Sequence, residues 1–194
     1  MIPDKFEKHY LSITYIIITF FTLAYVWYYL DLRLLISYFI AVCVGTLGTN
    51  VGYHRLFSHK AFKTSRAWTI VLAFLGVYGT VSGPVGWVAT HLHHHRYMGK
   101  DNDPHTPWTE KNIFKGWLRT FIPYFMNITK PDQRLLIGMR HLFEDKIIMF
   151  LNKYAAIQVY GTGILIWLLL GFDWFLILFA FPIGYSLISQ YCVN

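Results

Sequence analysis

Two long runs without a charged residue limit what this chain can fold into. Leu11 to Leu30 and Leu34 to Tyr53 are each twenty residues long and contain no Asp, Glu, Lys or Arg. A helix needs about 20 consecutive apolar residues to cross the hydrocarbon core of a membrane. Because only Asp31-Leu32-Arg33 separates the runs, we expect them to form a tight helical hairpin.

A second pair of uncharged runs lies near the end of the sequence. Tyr154 to Leu170 and Trp174 to Asn194 are joined by Gly171-Phe172-Asp173. Charged residues make up 14% of the chain, against about 25% in soluble domains. The sequence therefore predicts an all-α membrane protein of one domain, residues 1–194, with four transmembrane helices in two hairpins. A secreted disulfide scaffold, a disordered tail and an ordinary cytosolic enzyme are all disfavoured.

The positions of Lys and Arg predict the orientation of these helices. Fourteen of the 17 cationic residues lie between Arg55 and Lys153, and Lys5 and Lys8 precede the first run. The positive-inside rule places such segments in the cytoplasm. We therefore expect a multi-pass protein of the bacterial inner membrane or endoplasmic reticulum, with region 54–153 as a cytoplasmic cap. The net charge of +7 then suits anionic membrane lipids or an acidic partner rather than nucleic acid.

The histidines form two clusters. His54 and His59 make an HxxxxH pattern, and the second cluster is the HxxHH pattern of His91, His94 and His95. On an α-helix, positions i, i+3 and i+4 share one stripe. The second cluster is therefore expected to point one way, with His93 pointing away from it. The HxxxxH pair would lie about 140° apart on a straight helix, so it either straddles a helix end or serves two different ions.

Clustered imidazoles indicate a metal site. Imidazole binds zinc, copper, iron and nickel, and five nitrogen ligands exceed what one tetrahedral zinc ion needs. The pattern favours two metal ions, and the absence of an HExxH motif leaves zinc-protease chemistry without support. His9 and His141 are expected to be surface or hydrogen-bonded residues, and His93 and His105 are expected either to support the ligands or to be structural.

A third uncharged run, Ala67 to Thr90, separates the two clusters. If it crossed the membrane as one helix, His59 and His91 would stand more than about 30 Å apart at 1.5 Å per residue. The two clusters could not then share a metal centre. We therefore expect this run to enter and return, or to lie along the membrane surface.

The histidine clusters resemble those of the membrane fatty acid desaturases. The segment from Gly52 to Arg66, with the motif GYHRLFSH, is similar to their first histidine box. The segment from Trp87 to Pro107 is similar to their second box, and Asp101-Asn102-Asp103-Pro104-His105 resembles the DxDPH segment that follows it. Within the family, the acyl-CoA delta-9 (stearoyl-CoA type) desaturases look most similar.

This resemblance implies a fold, a cofactor and a reaction. Such enzymes have four spans and a cytoplasmic cap that holds two Fe ions, and they use O2 to introduce a double bond into a fatty acyl chain. The implied partners are an acyl substrate, expected to be an acyl-CoA, and a small electron donor of the cytochrome b5 or ferredoxin type. Asp103 would support the ligands, and the implied iron ligands are His54, His59, His91, His94 and His95.

The chain departs from the family pattern at its end. The family has a third histidine box beyond the last span, whereas no histidine follows His141 here. Asn194 would match an Asn that approaches an iron through water. We therefore expect this chain to be the N-terminal part of a longer desaturase and to be inactive alone. A natural short form that pairs with another chain is the smaller alternative.

Two other functions remain open from the sequence. Another histidine-box oxygenase, such as a lipid hydroxylase, would share these two boxes. A non-enzymatic metal-binding membrane protein or transporter would be expected to carry His or acidic residues inside its spans. The four predicted spans contain none, which disfavours the transporter.

Overall fold

The computed structural model describes residues 17, 20–29, 32–100, 103 and 137–193, and within them the secondary structure is helical with no β-strand. The all-α prediction holds for this part of the chain. The helices are α1 (20–28), α2 (Arg33–Val42), a π-helix (Cys43–Ser58), α3 (Arg66–Thr80), α4 (Pro84–Tyr97), α5 (Arg140–Phe143), α6 (Lys146–Lys153), α7 (Ala155–Leu170), α8 (Phe172–Phe175), a second π-helix (Leu176–Ala180) and α9 (Phe181–Val193).

Helix α2 continues without a break into the first π-helix. Together they form a 26-residue apolar helix, Arg33–Ser58, which contains the predicted span 34–53. Among the described residues it is the one helix that is long and apolar enough to cross a membrane unaided. A π-helix of 16 residues is unusual, because π-helices mostly occur as single turns and often at functional sites.

The third uncharged run is two helices rather than one. Helices α3 and α4 are separated by a break at residues 81–83, and their axes differ by 73°. The Ser65 hydroxyl caps the start of α3, and Pro84 opens α4, where a missing N–H costs little. The chain therefore turns sharply between the two histidine clusters.

The two runs of the second predicted hairpin are helical. Helices α6 and α7 meet at an angle of 61°, and only the two together are long and apolar enough to span a membrane. The same holds for α3 and α4. The predicted runs 154–170 and 174–194 fall on α7 and on the continuous helical stretch Phe172–Val193. Of the predicted first span, 11–30, the structure describes residue 17 and residues 20–29.

The first π-helix packs closely on α3 because glycines line the contact. A Cβ added at Gly48 would stand 2.4 Å from the backbone carbon of Leu75, and one added at Gly76 would stand 2.2 Å from the Tyr53 ring. The main core is built from buried side chains of this pair together with α4, α6, α7 and α9, including Tyr53, Val77 and Val88. The first histidine box is therefore fixed against α3.

Candidate metal centre

Four histidines from the two boxes meet at one point. One ring nitrogen from each of His54, His59, His91 and His95 lies within 4.8 Å of the others. The first two come from the end of the π-helix and the last two from α4. The structure thus brings together residues that are up to 41 positions apart in the sequence.

The spacing of the first box matches the end of the π-helix. The backbone N–H of His59 donates to the carbonyl of His54 at 3.1 Å, which is the i→i+5 bond of a π-helix. The π-helix ends at Ser58, so the pair straddles a helix end. The two imidazoles lie 4.6 Å apart, centroid to centroid. Of the two alternatives that the HxxxxH spacing left open, the pair that straddles a helix end is the one observed.

The second box contributes histidines that are one helical turn apart. His91 and His95 occupy positions i and i+4 of α4, and their Nε2 atoms are 3.0 Å apart. The His91 Nε2 also lies 3.1 Å from the His59 Nε2. The Nε2 atom of an imidazole carries at most one hydrogen, so it either donates or accepts a hydrogen bond. The His91 Nε2 faces the Nε2 atoms of both His59 and His95, and a shared cation explains this arrangement better than hydrogen bonds do.

The donor set and its distances fit a metal ion. Two ligands at right angles, each about 2.1 Å from a metal, stand about 3.0 Å apart, close to the observed separations from His91 Nε2 of 3.0 and 3.1 Å. Neutral imidazoles without a carboxylate suit a transition metal such as iron rather than magnesium or calcium. The residues present therefore fit the iron that the sequence resemblance implies.

Burial keeps the central histidine neutral. Burial of the His91 ring, followed by the neighbouring imidazoles of His54, His95, His59 and His94, lowers the pKa of His91 from 6.5 to about 2. An uncharged imidazole is the form that binds metal. His91 is therefore ready to act as a ligand at any physiological pH.

His94 lies beside the cluster but faces a carboxylate. Its Nδ1 is 2.7 Å from the Oδ1 of Asp103, and Asp103 is only 1% exposed. The Gly99 N–H donates to the other carboxylate oxygen at 2.9 Å. The His94 ring is 5.6 Å from that of His95. A carboxylate on Nδ1 leaves Nε2 as the nitrogen that would bind a metal, as is common for metal-binding histidines.

Two aromatic residues that are not among the predicted site residues support the centre. The Trp87 indole stacks on His91, with ring centroids 4.9 Å apart and planes 12° apart. The Tyr53 ring contacts Trp87 in turn, at 5.7 Å. Trp87 stands four positions before His91, so helical spacing is the signal that could have identified it. Nothing in the local sequence marks Tyr53 except its place before His54.

The remaining sequence-predicted residues lie apart from the cluster or outside the described part. His93 points toward Tyr97, with ring centroids 4.5 Å apart. His141 is exposed on α5, and partial burial, with Lys60 nearby, lowers its pKa. Asn194, His9 and His105 lie outside the described residues.

The chain belongs to the fatty acid desaturase family, because the family model for fatty acid desaturases matches residues 32–193. That match covers both histidine boxes and all of the described C-terminal helices.

Curated relatives are named as enzymes of acyl chains. A hex-5-enoyl-[acyl-carrier protein] acetylenase of Moorena producens is 32% identical over 84% of this chain and 53% of its own length. An sn-1 stearoyl-lipid 9-desaturase of Anabaena variabilis is 30% identical over 63% of this chain and 43% of its own. A delta-9 acyl-lipid desaturase of Arabidopsis thaliana is 28% identical over 69% of this chain and 42% of its own. The chain thus spans about half the length of these relatives or less.

Proposed function

We propose that this chain carries the iron-binding part of an O2-dependent fatty acyl desaturase that acts in the synthesis of unsaturated fatty acids. The observation that carries the proposal is the convergence of His54, His59, His91 and His95, with one ring nitrogen of each within 4.8 Å of the others. Membership of the desaturase family gives this cluster its chemical context.

The reaction explains why a metal centre is needed. An unactivated methylene has no acidic proton, so general acid–base catalysis cannot start its oxidation. Iron with O2 supplies the oxidising chemistry when it is bound. Overall, two C–H bonds break and one C=C bond forms, and the two hydrogens removed from the chain, together with two external electrons and two protons, reduce O2 to two waters. A small redox protein of the cytochrome b5 or ferredoxin type would deliver those electrons.

The chain's own part is to hold the metal. His54, His59, His91 and His95 present converging nitrogens, and Trp87 fixes the plane of the His91 ring. Asp103 orients His94 through Nδ1, so His94 is proposed as a fifth ligand. Five imidazoles are more than one tetrahedral ion needs and suit two Fe ions. A contribution of Asn194 to the metal site stays a prediction.

The helices are proposed to form two membrane hairpins with the metal centre at the cytoplasmic side. The two hairpin turns meet, because the Tyr29 hydroxyl donates to Asp173 at 2.8 Å. Exposed aromatic side chains lie close to these two residues in the sequence, among them Trp27, Trp167 and Trp174. Trp and Tyr are enriched where helices leave a membrane. The histidines would then lie near the opposite membrane face, within reach of a lipid-derived chain.

The proposed substrate is a long-chain fatty acyl group, and the delta-9 position of an acyl-CoA is the finer form of the proposal. The relatives named above are described as acting on acyl lipids or on an acyl-carrier protein, so the carrier is the part to test first. The same iron centre would also serve a lipid hydroxylase or an acetylenase. Mass spectrometry of the product distinguishes an alkene from an alcohol and from an alkyne.

The test is expression of the complete coding sequence in a host whose fatty acids are analysed by gas chromatography and mass spectrometry. We expect a new monounsaturated fatty acid and two Fe per chain. His91→Gln should abolish both, whereas His141→Gln, which changes an exposed histidine outside the cluster, should abolish neither. A protein that binds a single zinc ion and leaves the fatty acid profile unchanged would contradict the proposal.

A further inference from the structure

The break between α3 and α4 holds a strained residue. Val81 has φ 50° and ψ 32°, which is the left-handed region, and its side chain is 1% exposed. A β-branched residue seldom adopts this conformation, because its Cβ then crowds the backbone. Such a conformation persists only where surrounding contacts over-determine it. Contacts from elsewhere in the fold must therefore hold residues 81–83 in place.

One of these contacts comes from the first histidine box. The Tyr53 side chain is fully buried, and its hydroxyl lies 3.3 Å from each of the carbonyl oxygens of Ser82 and Ala73. A single hydroxyl hydrogen is shared between these two acceptors. Tyr53, which directly precedes His54, therefore connects the first histidine box to α3 and to the break.

The other contact comes from α6. The Asn152 Oδ1 accepts a hydrogen bond from the Val85 N–H at 3.0 Å. Pro84 has no N–H, and the Val85 N–H is one of the donors that a helix leaves without an internal partner at its start. Gly83 lets Asn152 come this close, since a Cβ there would stand 2.4 Å from Oδ1. Asn152 thus caps the helix that carries the second box.

Small movements at the break have large effects at the ligands. His95 is ten residues beyond Val85, or about 15 Å along α4 at 1.5 Å per residue. A tilt of about 10° at the break would displace His95 by roughly 2.6 Å over that length. Metal–ligand distances tolerate about 0.2 Å, so the direction of α4 must be held closely.

We propose that Tyr53 and Asn152 are positioning residues that clamp the break between α3 and α4 from two sides and so set His91 and His95 against His54 and His59. The inference rests on the proposed metal centre. Tyr53 acts at two points, since its ring also supports Trp87, which stacks on His91. Neither residue is proposed to contact metal or substrate.

The test uses Co²⁺ as a probe, because its visible absorption reports both affinity and ligand geometry. Asn152→Leu removes the acceptor and should weaken Co²⁺ binding by about tenfold, the low end of the effect of residues that orient metal ligands, and should alter the spectrum. Asn152→Asp keeps the acceptor and should restore both. Circular dichroism would show that the helices of each variant have formed.

Tyr53→Phe tests the second side of the clamp. It keeps the ring and loses the hydroxyl, and it should weaken Co²⁺ binding several-fold. The matched control is Tyr78→Phe, because the Tyr78 hydroxyl bonds Thr162 of α7 at 2.9 Å, a residue that belongs neither to the break nor to the histidine cluster. Tyr78→Phe should leave the Co²⁺ spectrum unchanged.

The outcomes separate the two proposals. If the unaltered protein binds Co²⁺, and Asn152→Leu and Tyr53→Phe both bind it with the same affinity and spectrum, the clamp is wrong and the metal centre stands. If Asp at position 152 behaves like Leu, the hydrogen-bond acceptor is not what matters and the clamp is wrong as stated. If the unaltered protein binds no Co²⁺, the metal centre falls and the clamp with it.

Discussion

Neighbouring histidines of the second box have different surroundings. His91 is enclosed by other imidazoles and by the Trp87 indole, His94 faces the buried carboxylate of Asp103, and His93 lies against Tyr97. Helical phase explains the separation of His93 from the others. It does not explain why His94 turns from His91, because positions i and i+3 share a stripe. The carboxylate of Asp103 supplies the reason, since a charged acceptor holds an imidazole N–H strongly.

Asp103→Asn is predicted to weaken metal binding without unfolding the protein. The amide keeps an acceptor for the Gly99 N–H but loses the negative charge that fixes His94. Partners of this kind typically contribute about 10- to 100-fold to metal affinity, and we expect a loss in that range in a Co²⁺ or Fe²⁺ titration. Asp145→Asn is the control, because Asp145 is bonded to Arg66 and not to a histidine. Equal metal affinity in the Asp103 variant and the unaltered protein would show that His94 needs no such partner.

Asp145 gives the fold an acid-sensitive contact. Both of its carboxylate oxygens bond the Arg66 guanidinium, and Oδ1 also accepts from the N–H groups of Ile147 and Ile148 at the start of α6. The bond from Arg66 is the main cause, followed by the backbone N–H groups, of a pKa held below the usual 3.8. Because this pKa is lowered on folding, the stabilisation is complete above pH 3.8 and is lost as the pH falls further.

Asp145→Asn isolates the charge in this contact. Asn is about as good a helix cap as Asp, so the substitution removes the ion pair and keeps the cap. We expect a small fall in Tm at about pH 7, because exposed ion pairs contribute little, and a difference between variant and unaltered protein that shrinks as the pH falls below 3.8. Thermal unfolding followed by circular dichroism across this range measures it. A Tm difference that grows toward low pH would contradict this assignment.

The elements show what the sequence could and could not predict. The uncharged runs correctly predicted helices at Arg33–Ser58, Ala155–Leu170 and Phe172–Val193. They could not predict that Cys43–Ser58 is π-helical, because an uncharged run shows that a segment is apolar and not which helical hydrogen bonds it forms. Nor could they predict that the left-handed residue at the break between α3 and α4 is Val81.

The candidate site, like the helices, could be predicted from the sequence only in part. Spacing identified the histidines, since ligands at fixed intervals are visible in a sequence. The side chains that hold the break, Tyr53 and Asn152, act through contacts 29 and 67 residues away, and no local pattern records such contacts. Trp87 lies between these cases, because its spacing from His91 is local but its stacking depends on the neighbouring Tyr53 ring.

Gly48→Ala is predicted to destabilise the packing of the first π-helix on α3. The added methyl group would meet the backbone of Leu75 at 2.4 Å, and backbone cannot move aside as a side chain can. Overpacking of this kind typically costs about 1–3 kcal/mol. Gly161→Ala is the matched control, since nothing lies within 4 Å of a Cβ there. Because Ala favours a helix over Gly by about 1 kcal/mol, the control should raise Tm while Gly48→Ala lowers it, as measured by thermal unfolding in detergent.

At the scale of the whole molecule, the segments near the Tyr29–Asp173 contact and the segments near the histidines carry different kinds of exposed side chain. Close in sequence to the Tyr29–Asp173 contact, the exposed side chains include the aromatic Trp27 and Trp174 beside the aliphatic Leu32 and Leu170. Near the histidines the exposed side chains include the cations of Arg55, Lys63 and Lys100. Trp and Tyr suit a membrane interface, and Lys and Arg suit the cytoplasmic side. This asymmetry is what the proposed two-hairpin topology requires.

Labelling of single cysteines tests that topology and the path of the third run together. The background is the protein with both native cysteines replaced by Ser, into which Lys63→Cys, Lys100→Cys or Leu32→Cys is introduced; all three positions are exposed. Lys63 precedes α3 and Lys100 follows α4, so a bent pair that enters and returns puts both on one face. Leu32 lies in the first hairpin turn and belongs on the other. We therefore expect a membrane-impermeant maleimide to label the variants at positions 63 and 100 only from the cytoplasmic side and the variant at position 32 only from the opposite side.

If the cysteines introduced at positions 63 and 100 react from opposite sides, then α3 and α4 cross the membrane together. His59 lies four residues before position 63 and His91 lies nine residues before position 100, so the two histidines would then stand at different faces and could not share one metal centre.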